Sequence, residues 1–210
     1  MIDIVAELAA IHRETGHGKT PAGDGRTLTL RRTYPAAVED VWDAITTAER
    51  ISRWFLPISG DLRLGGRYQL EGNAGGEVLR CEPPRLLAVS WIFGEPTDSN
   101  YSEVQVTLND AGDATDLELV HTAQVDPAMW AEYGPGAVGV GWDLGLLGLA
   151  THLAGGERVD EQAWPLSEEG RAFLHGSSAA WGEALAASGA DSAQVEKAVA
   201  ATSAFYAPGP

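Results

Sequence analysis

The chain has 210 residues, 44% of them hydrophobic, and a net charge of −16 from 14 basic and 30 acidic side chains. That apolar share fits a globular protein and excludes both a disordered chain and a membrane-embedded one; the length allows one domain with extensions. The acidic excess opposes nucleic-acid phosphates, which take clustered Lys and Arg to neutralise, and Arg31–Arg32 is the one adjacent basic pair.

Cys81 stands alone, so no intramolecular disulfide can form. The segment Met1 to Ile11 carries Asp3 and Glu7 and no Lys or Arg, which does not fit a secretory signal. The nearest approach to a membrane span, Ala137 to Ala154, is interrupted by Asp143, His152 and four glycines. No membrane insertion and a cytoplasmic location are therefore expected.

In chain order, Ile2 to Glu14 reads as a short amphipathic helix, with Ile4, Val5, Leu8 and Ile11 on one face. A glycine-rich loop from Gly16 to Gly25 follows it. Thr27 to Tyr34 alternates as a strand, Val38 to Arg50 has helical period, and Ile51 to Leu56 is a second short helix stopped by Pro57. A meander comes next, with strands at Arg67 to Glu71, Glu77 to Cys81, Leu86 to Phe93, Tyr101 to Leu108 and Thr115 to Ala123.

Strand parity defines an inner face. Leu87, Val89, Trp91 and Phe93 share one side, as do Val104, Val106 and Leu108, and Leu117, Leu119 and His121. Such a face needs a cover, and Val138, Trp142, Leu146, Leu149 and Leu153 supply a helix of the right period. Its four glycines each cost about 1 kcal/mol of helix propensity, so tertiary packing must hold it. Two further helices are expected from Ser167 to Ser188 and from Asp191 to Phe205, with Ser167 and Asp191 as N-caps.

The phrase Arg32-Thr33-Tyr34-Pro35-Ala36-Ala37-Val38-Glu39-Asp40-Val41-Trp42 resembles the opening of the START-like superfamily. Ile51-Ser52-Arg53-Trp54-Phe55, Leu64-Gly65-Gly66-Arg67-Tyr68, Glu82-Pro83-Pro84-Arg85-Leu86 and Gly141-Trp142 are similar to its branch of activator of heat-shock-protein-90 ATPase homologues. The resemblance spans about residues 26–155. It implies an α+β helix-grip fold: a curved antiparallel sheet of about seven strands wrapped around a long C-terminal helix, with two short helices after the first strand. It also implies an apolar cavity that takes hydrophobic small molecules, and no shared catalytic residue. Residues 1–25 are expected as an N-terminal extension, and 156–210 as extra C-terminal helices on the same domain.

Several motifs fail on spacing. Gly18-Lys19-Thr20 lacks the first glycine of a phosphate-binding loop, since Arg13 stands there, and Gly134 to Gly139 satisfies G-x-G-x-x-G without a βαβ setting. No two of the five histidines have metal-ligand spacing, so neither metal nor cofactor is expected. Arg32 shares parity with Leu28 and Leu30; pointing inward, it would need a carboxylate or carbonyl partner.

The aromatic residues Trp54, Tyr68, Trp91, Trp130 and Trp142 are expected to gather between sheet and helix. The cavity is expected to be lined by Trp54, Tyr68, Trp91, His121, Trp142 and Leu146, with His121 or Tyr68 fixing a polar end of the ligand. The leading expectation is a binding module for a hydrophobic or amphipathic small molecule. The alternatives are a cyclase or dehydratase using His121 with an acid, and a chaperone-associated interaction domain with a protein partner.

Overall fold

The computed structural model describes residues 2–21, 23–95, 97, 100–160 and 163–207. The chain begins with α1 (Ile4–Ala9), capped by the Asp3 carboxylate, which accepts from the Ala6 N–H. Strands β1 (His12–Thr20) and β2 (Gly23–Tyr34) follow as a hairpin. Helices α2 (Val38–Thr46) and α3 (Ala48–Trp54) lead into β3 (Ile58–Gly60), β4 (Arg67–Leu70), β5 (Gly75–Glu82), β6 (Leu86–Ser90), β7 (Ser102–Asp110) and β8 (Thr115–Ala123). Then come α4 (Pro127–Tyr133), α5 (Gly136–Leu153), α6 (Glu168–Ala187) and α7 (Ser192–Tyr206).

The eight strands form one antiparallel sheet in the order β1-β2-β8-β7-β6-β5-β4-β3. The long helix α5 lies across its inner face as expected, and the architecture is α+β helix-grip. Inner parity holds strand by strand: Leu28, Leu30, Arg32 and Tyr34 on β2 are buried, as are Leu117, Leu119 and His121 on β8. Phe93 departs from it because β6 ends at Ser90, leaving Phe93 60% exposed.

The N-terminal reading needs correction. His12 to Thr20 is an edge strand registered against β2 from His12↔Arg31 to Thr20↔Gly23, where a helix end and a loop were expected. Its segment, HRETGHGKT, has no apolar residue to mark alternation, so only the partner strand reveals it. The helix it displaces is six residues long, and Val5 faces solvent at 79% exposure while Ile4 and Leu8 pack against Trp164 and Phe173. The first glycine-lysine motif therefore sits in β1, and Gly134 serves as the C-cap of α4, its N–H donating to the Trp130 carbonyl.

The C-terminal helices follow their caps. Ser167 accepts from the Gly170 N–H and Asp191 from the Gln194 N–H, each satisfying a donor that the first turn leaves free. Helix α6 lies beside α5 and over β1, so the added strand is covered by the added helix. Glu169 ties the N-terminal segment to the start of α6, accepting from the Ile2 N–H at 2.8 Å and the Trp164 indole at 2.9 Å.

Close approach explains Gly139 and Gly148 of α5. A Cβ on Gly139 would lie 2.2 Å from the Trp181 ring, and one on Gly148 would lie 2.6 Å from the Trp54 carbonyl oxygen. At Gly141 the nearest atom is the Tyr206 hydroxyl at 3.6 Å. Gly139→Ala should therefore destabilise by about 1–3 kcal/mol through overpacking, while Gly141→Ala should stabilise by up to about 1 kcal/mol through helix propensity. Urea unfolding midpoints of the two variants check this; a shift in the same direction for both would contradict the packing given.

Candidate functional site

Between the sheet and α5 lies a cavity of about 130 Å³. The sheet contributes its inner parity: Leu87 and Val89 from β6 with Trp91 just past it, Val104 and Val106 from β7, and Leu117 and Leu119 from β8. Helix α5 contributes Trp142, Gly145, Leu146 and Leu149, and α3 closes one end with Ile51 and Trp54. Five of the expected residues, Trp54, Tyr68, Trp91, Trp142 and Leu146, thus meet around one space.

The polar atoms on these walls point away from it. The Tyr68 hydroxyl donates to the Ser90 carbonyl at 2.8 Å, and the Trp54 indole N–H to the Ala44 carbonyl at 3.0 Å. The Thr46 hydroxyl donates to the Trp42 carbonyl at 2.7 Å. Burial raises the Tyr68 phenol far above its ordinary range, so it stays protonated and committed to that bond. What faces the cavity is carbon.

His121 is placed differently from its expectation. It is buried at 4% exposure but is absent from the lining, because the Trp142 indole stands in front of it. The two rings meet edge to face, 5.7 Å between centroids. Indole is a donor only, so the Trp142 N–H at 3.0 Å makes His121 Nδ1 an acceptor and puts the imidazole proton on Nε2. Nε2–H then donates to Ser102 Oγ at 3.1 Å, and the Ser102 hydroxyl donates to the Trp91 carbonyl. This chain links α5 to β8, β7 and the segment just past β6, with the Trp91 and Trp142 rings 4.9 Å apart. It leaves His121 no free nitrogen for a ligand.

Trp130 also lies elsewhere. It packs with Leu185 and Ala198, under the Arg26 guanidinium at 4.6 Å, since α4 turns away from the sheet before α5 begins. Arg32 points inward and finds its carboxylate in Glu7 of α1, at 2.6 Å. Its Nε and Nη1 have no hydrogen-bond partner among the described residues, and the guanidinium rests over the Tyr34 ring at 5.2 Å.

A second polar centre escaped the sequence reading. Asp143 is fully buried on α5 and accepts from Arg13 Nε at 2.9 and 3.1 Å, from the Ser177 hydroxyl, and from the Trp181 indole at 3.1 Å. Burial raises its carboxyl, against the opposing pull of Arg13, Ser177 and Trp181. The available signal was a lone Asp in an apolar helix, which demands a partner. Among the described residues no cluster of His, Cys, Asp and Glu could hold a metal ion, and no helix is long and apolar enough to cross a membrane.

The family described as activator of Hsp90 ATPase homolog 1-like protein matches residues 35–154. The chain belongs to this AHSA1 family. CalU16 from Micromonospora echinospora is similar over nearly its full length: its crystal structure is 35% identical, with a TM-score of 0.67, covering 86% of this chain and 99% of that one. Its solution structure is 37% identical with a TM-score of 0.68, covering 85% and 97%. PFC0360w, an Hsp90 activator from Plasmodium falciparum, is 22% identical with a TM-score of 0.52, covering 61% and 96%, and shares the fold. No curated protein matches the chain. The AHSA1 match begins at Pro35, after β1 and β2, and ends before α6, whereas the CalU16 likeness reaches further.

The relay makes a pH prediction. Desolvation lowers His121 from 6.5 to about 4, so between those values the unfolded chain binds a proton that the folded chain refuses. Stability present above pH 6.5 should fall as pH drops toward 4, by about 3 kcal/mol from this group. Chemical unfolding of wild type and His121→Gln across that window checks it: the variant should lose less stability by that margin, and parallel curves would contradict a neutral buried imidazole.

Proposed function

We propose that the protein is a small-molecule-binding module that holds an apolar molecule, or the apolar part of an amphipathic one, between the sheet and α5. The observation that carries this reading is a walled space on which Thr46, Trp54, Tyr68 and Trp142 spend their polar atoms on partners outside it. Leaving 130 Å³ unfilled by side chains forgoes about 3 kcal/mol of packing at ~24 cal/mol per Å³. A ligand of matching shape would recover that term on binding, and flat or branched hydrocarbon suits walls made of three indoles and aliphatic side chains. Polar recognition inside the cavity is disfavoured, because Tyr68, Trp54, Thr46 and Trp142 already pair their donors.

The same facts weigh against acid–base chemistry in this space. General catalysis needs a titratable group within hydrogen-bond reach of the substrate, and the described lining contains no acid, Lys, Arg or His. His121, the candidate base, is screened by Trp142 and bonded at both nitrogens.

Apolar fluorescent probes should bind the folded protein with one-to-one stoichiometry. Affinity should rise about fourfold per added methylene, from ~0.8 kcal/mol of burial each, until the space is full. Val106→Phe, which places a ring in the cavity, should weaken binding at least tenfold while leaving the fold as stable or more so. Unchanged affinity in that variant would move the binding elsewhere on the surface.

A further inference from the structure

On the far side of Trp54 and Phe55 runs a groove of about 310 Å³, between α3, α5 and the side chains of Val159, Trp164 and Pro165. Trp54, Phe55 and Gly145 line both this groove and the apolar cavity. The partition is thus one side chain deep at Phe55. Its ring is half-buried, 5.4 Å from the Trp54 ring and 6.3 Å from Trp91. On the α5 side it faces backbone rather than a side chain: a Cβ at Gly145 would lie 3.6 Å from the Phe55 ring. At this point of α5 the Phe55 ring borders both spaces, beside Trp54.

Size sets the argument. Sites for drug-sized ligands run about 300–1,000 Å³, and the cavity alone, at about 130 Å³, falls short. Joined to the groove it falls inside the range. The two compartments also differ in chemistry. Asn73, Thr151 and Arg158 bring polar side chains to the groove; the Thr151 hydroxyl donates to the Leu147 carbonyl at 3.0 Å and Asn73 Oδ1 accepts from the Ala74 N–H at 2.8 Å, so each oxygen keeps a lone pair to accept from a ligand hydroxyl.

Building on the cavity reading, we infer that the two spaces are one bipartite site: the ligand is an elongated amphipathic molecule whose apolar end fills the cavity, and whose oxygen-bearing end lies in the groove beside Thr151 and Asn73. Phe55 is the gate between them, turning about its side-chain torsions to let the molecule thread through.

A homologous series of 1-alkanols, from hexanol to tetradecanol, tests this by calorimetry on the full chain. The groove is narrowed by Gly141→Leu and, separately, by Thr151→Leu, at positions that do not line the cavity. Hexanol should bind wild type and both variants alike. Affinity for wild type should keep rising along the series, whereas the variants should stop gaining at a shorter chain and bind tetradecanol at least tenfold more weakly. Curves that coincide across the series would overturn the bipartite site while leaving the cavity reading intact. Failure of every alcohol to bind wild type would overturn both. Should the groove variants not fold, Phe55→Ala decides: long alcohols should associate several-fold faster than with wild type, and an unchanged or slower rate would contradict the gate.

Discussion

The buried carboxylate of Asp143 is the interaction on which the rest of the structure depends. Taking a carboxylate and a guanidinium out of water costs several kcal/mol per ion unless the geometry recovers it, and here Arg13, Ser177 and Trp181 together surround the carboxylate with donors. Those partners come from β1 and α6 and Asp143 itself from α5, so one charged centre joins the first strand to the helix layer. Removing a single partner from such a pair typically costs about 3–5 kcal/mol. Asp143 also fixes the rotation of α5. Its neighbour Trp142 is turned toward the sheet, where its indole meets His121.

Two adjacent residues of one helix thus anchor it in two directions. The helix is held at a set height over the sheet by polar contacts at Asp143 and Trp142 and by the Tyr34 hydroxyl, which donates to the Leu146 carbonyl at 3.1 Å. Apolar collapse alone would draw α5 down until side chains filled the interior to crystal-like density. Anchoring it by hydrogen bonds is what allows a walled space to persist beneath Leu146 and Leu149. The segments outside the AHSA1 match, at both ends of the chain, reinforce this arrangement: β1 supplies Arg13, and α6 supplies Ser177 and Trp181.

Much of this was legible in the sequence. Period-two alternation identified the cavity-facing residues of β7 and β8, and Ser167 and Asp191 marked helix starts within a residue. The apolar period of α5 and its glycines announced a helix held by packing. Three features were not legible, for physical reasons. Strand β1 has no apolar alternation because it is an edge whose inner face carries Arg13 and is covered by α6. The Arg13–Asp143 pair lies 130 residues apart in sequence, so no local pattern can announce it. For His121, parity correctly put the side chain inside the sheet, yet parity cannot say that an indole from another element stands between it and the cavity. The same limit misplaced Trp130, whose helix α4 belongs to a separate cluster with α6 and α7.

The space beneath α5 should accept an apolar guest, and xenon tests this without assuming any ligand chemistry. An engineered apolar cavity of about 150 Å³ in another protein stays dry and takes up xenon, and the present one is of similar size at about 130 Å³. Anomalous diffraction from crystals pressurised with xenon should show a strong site bounded by Trp91, Leu119, Trp142 and Leu146, with the surrounding side chains unmoved. Ordered water in that position, or xenon only at surface sites, would contradict the account.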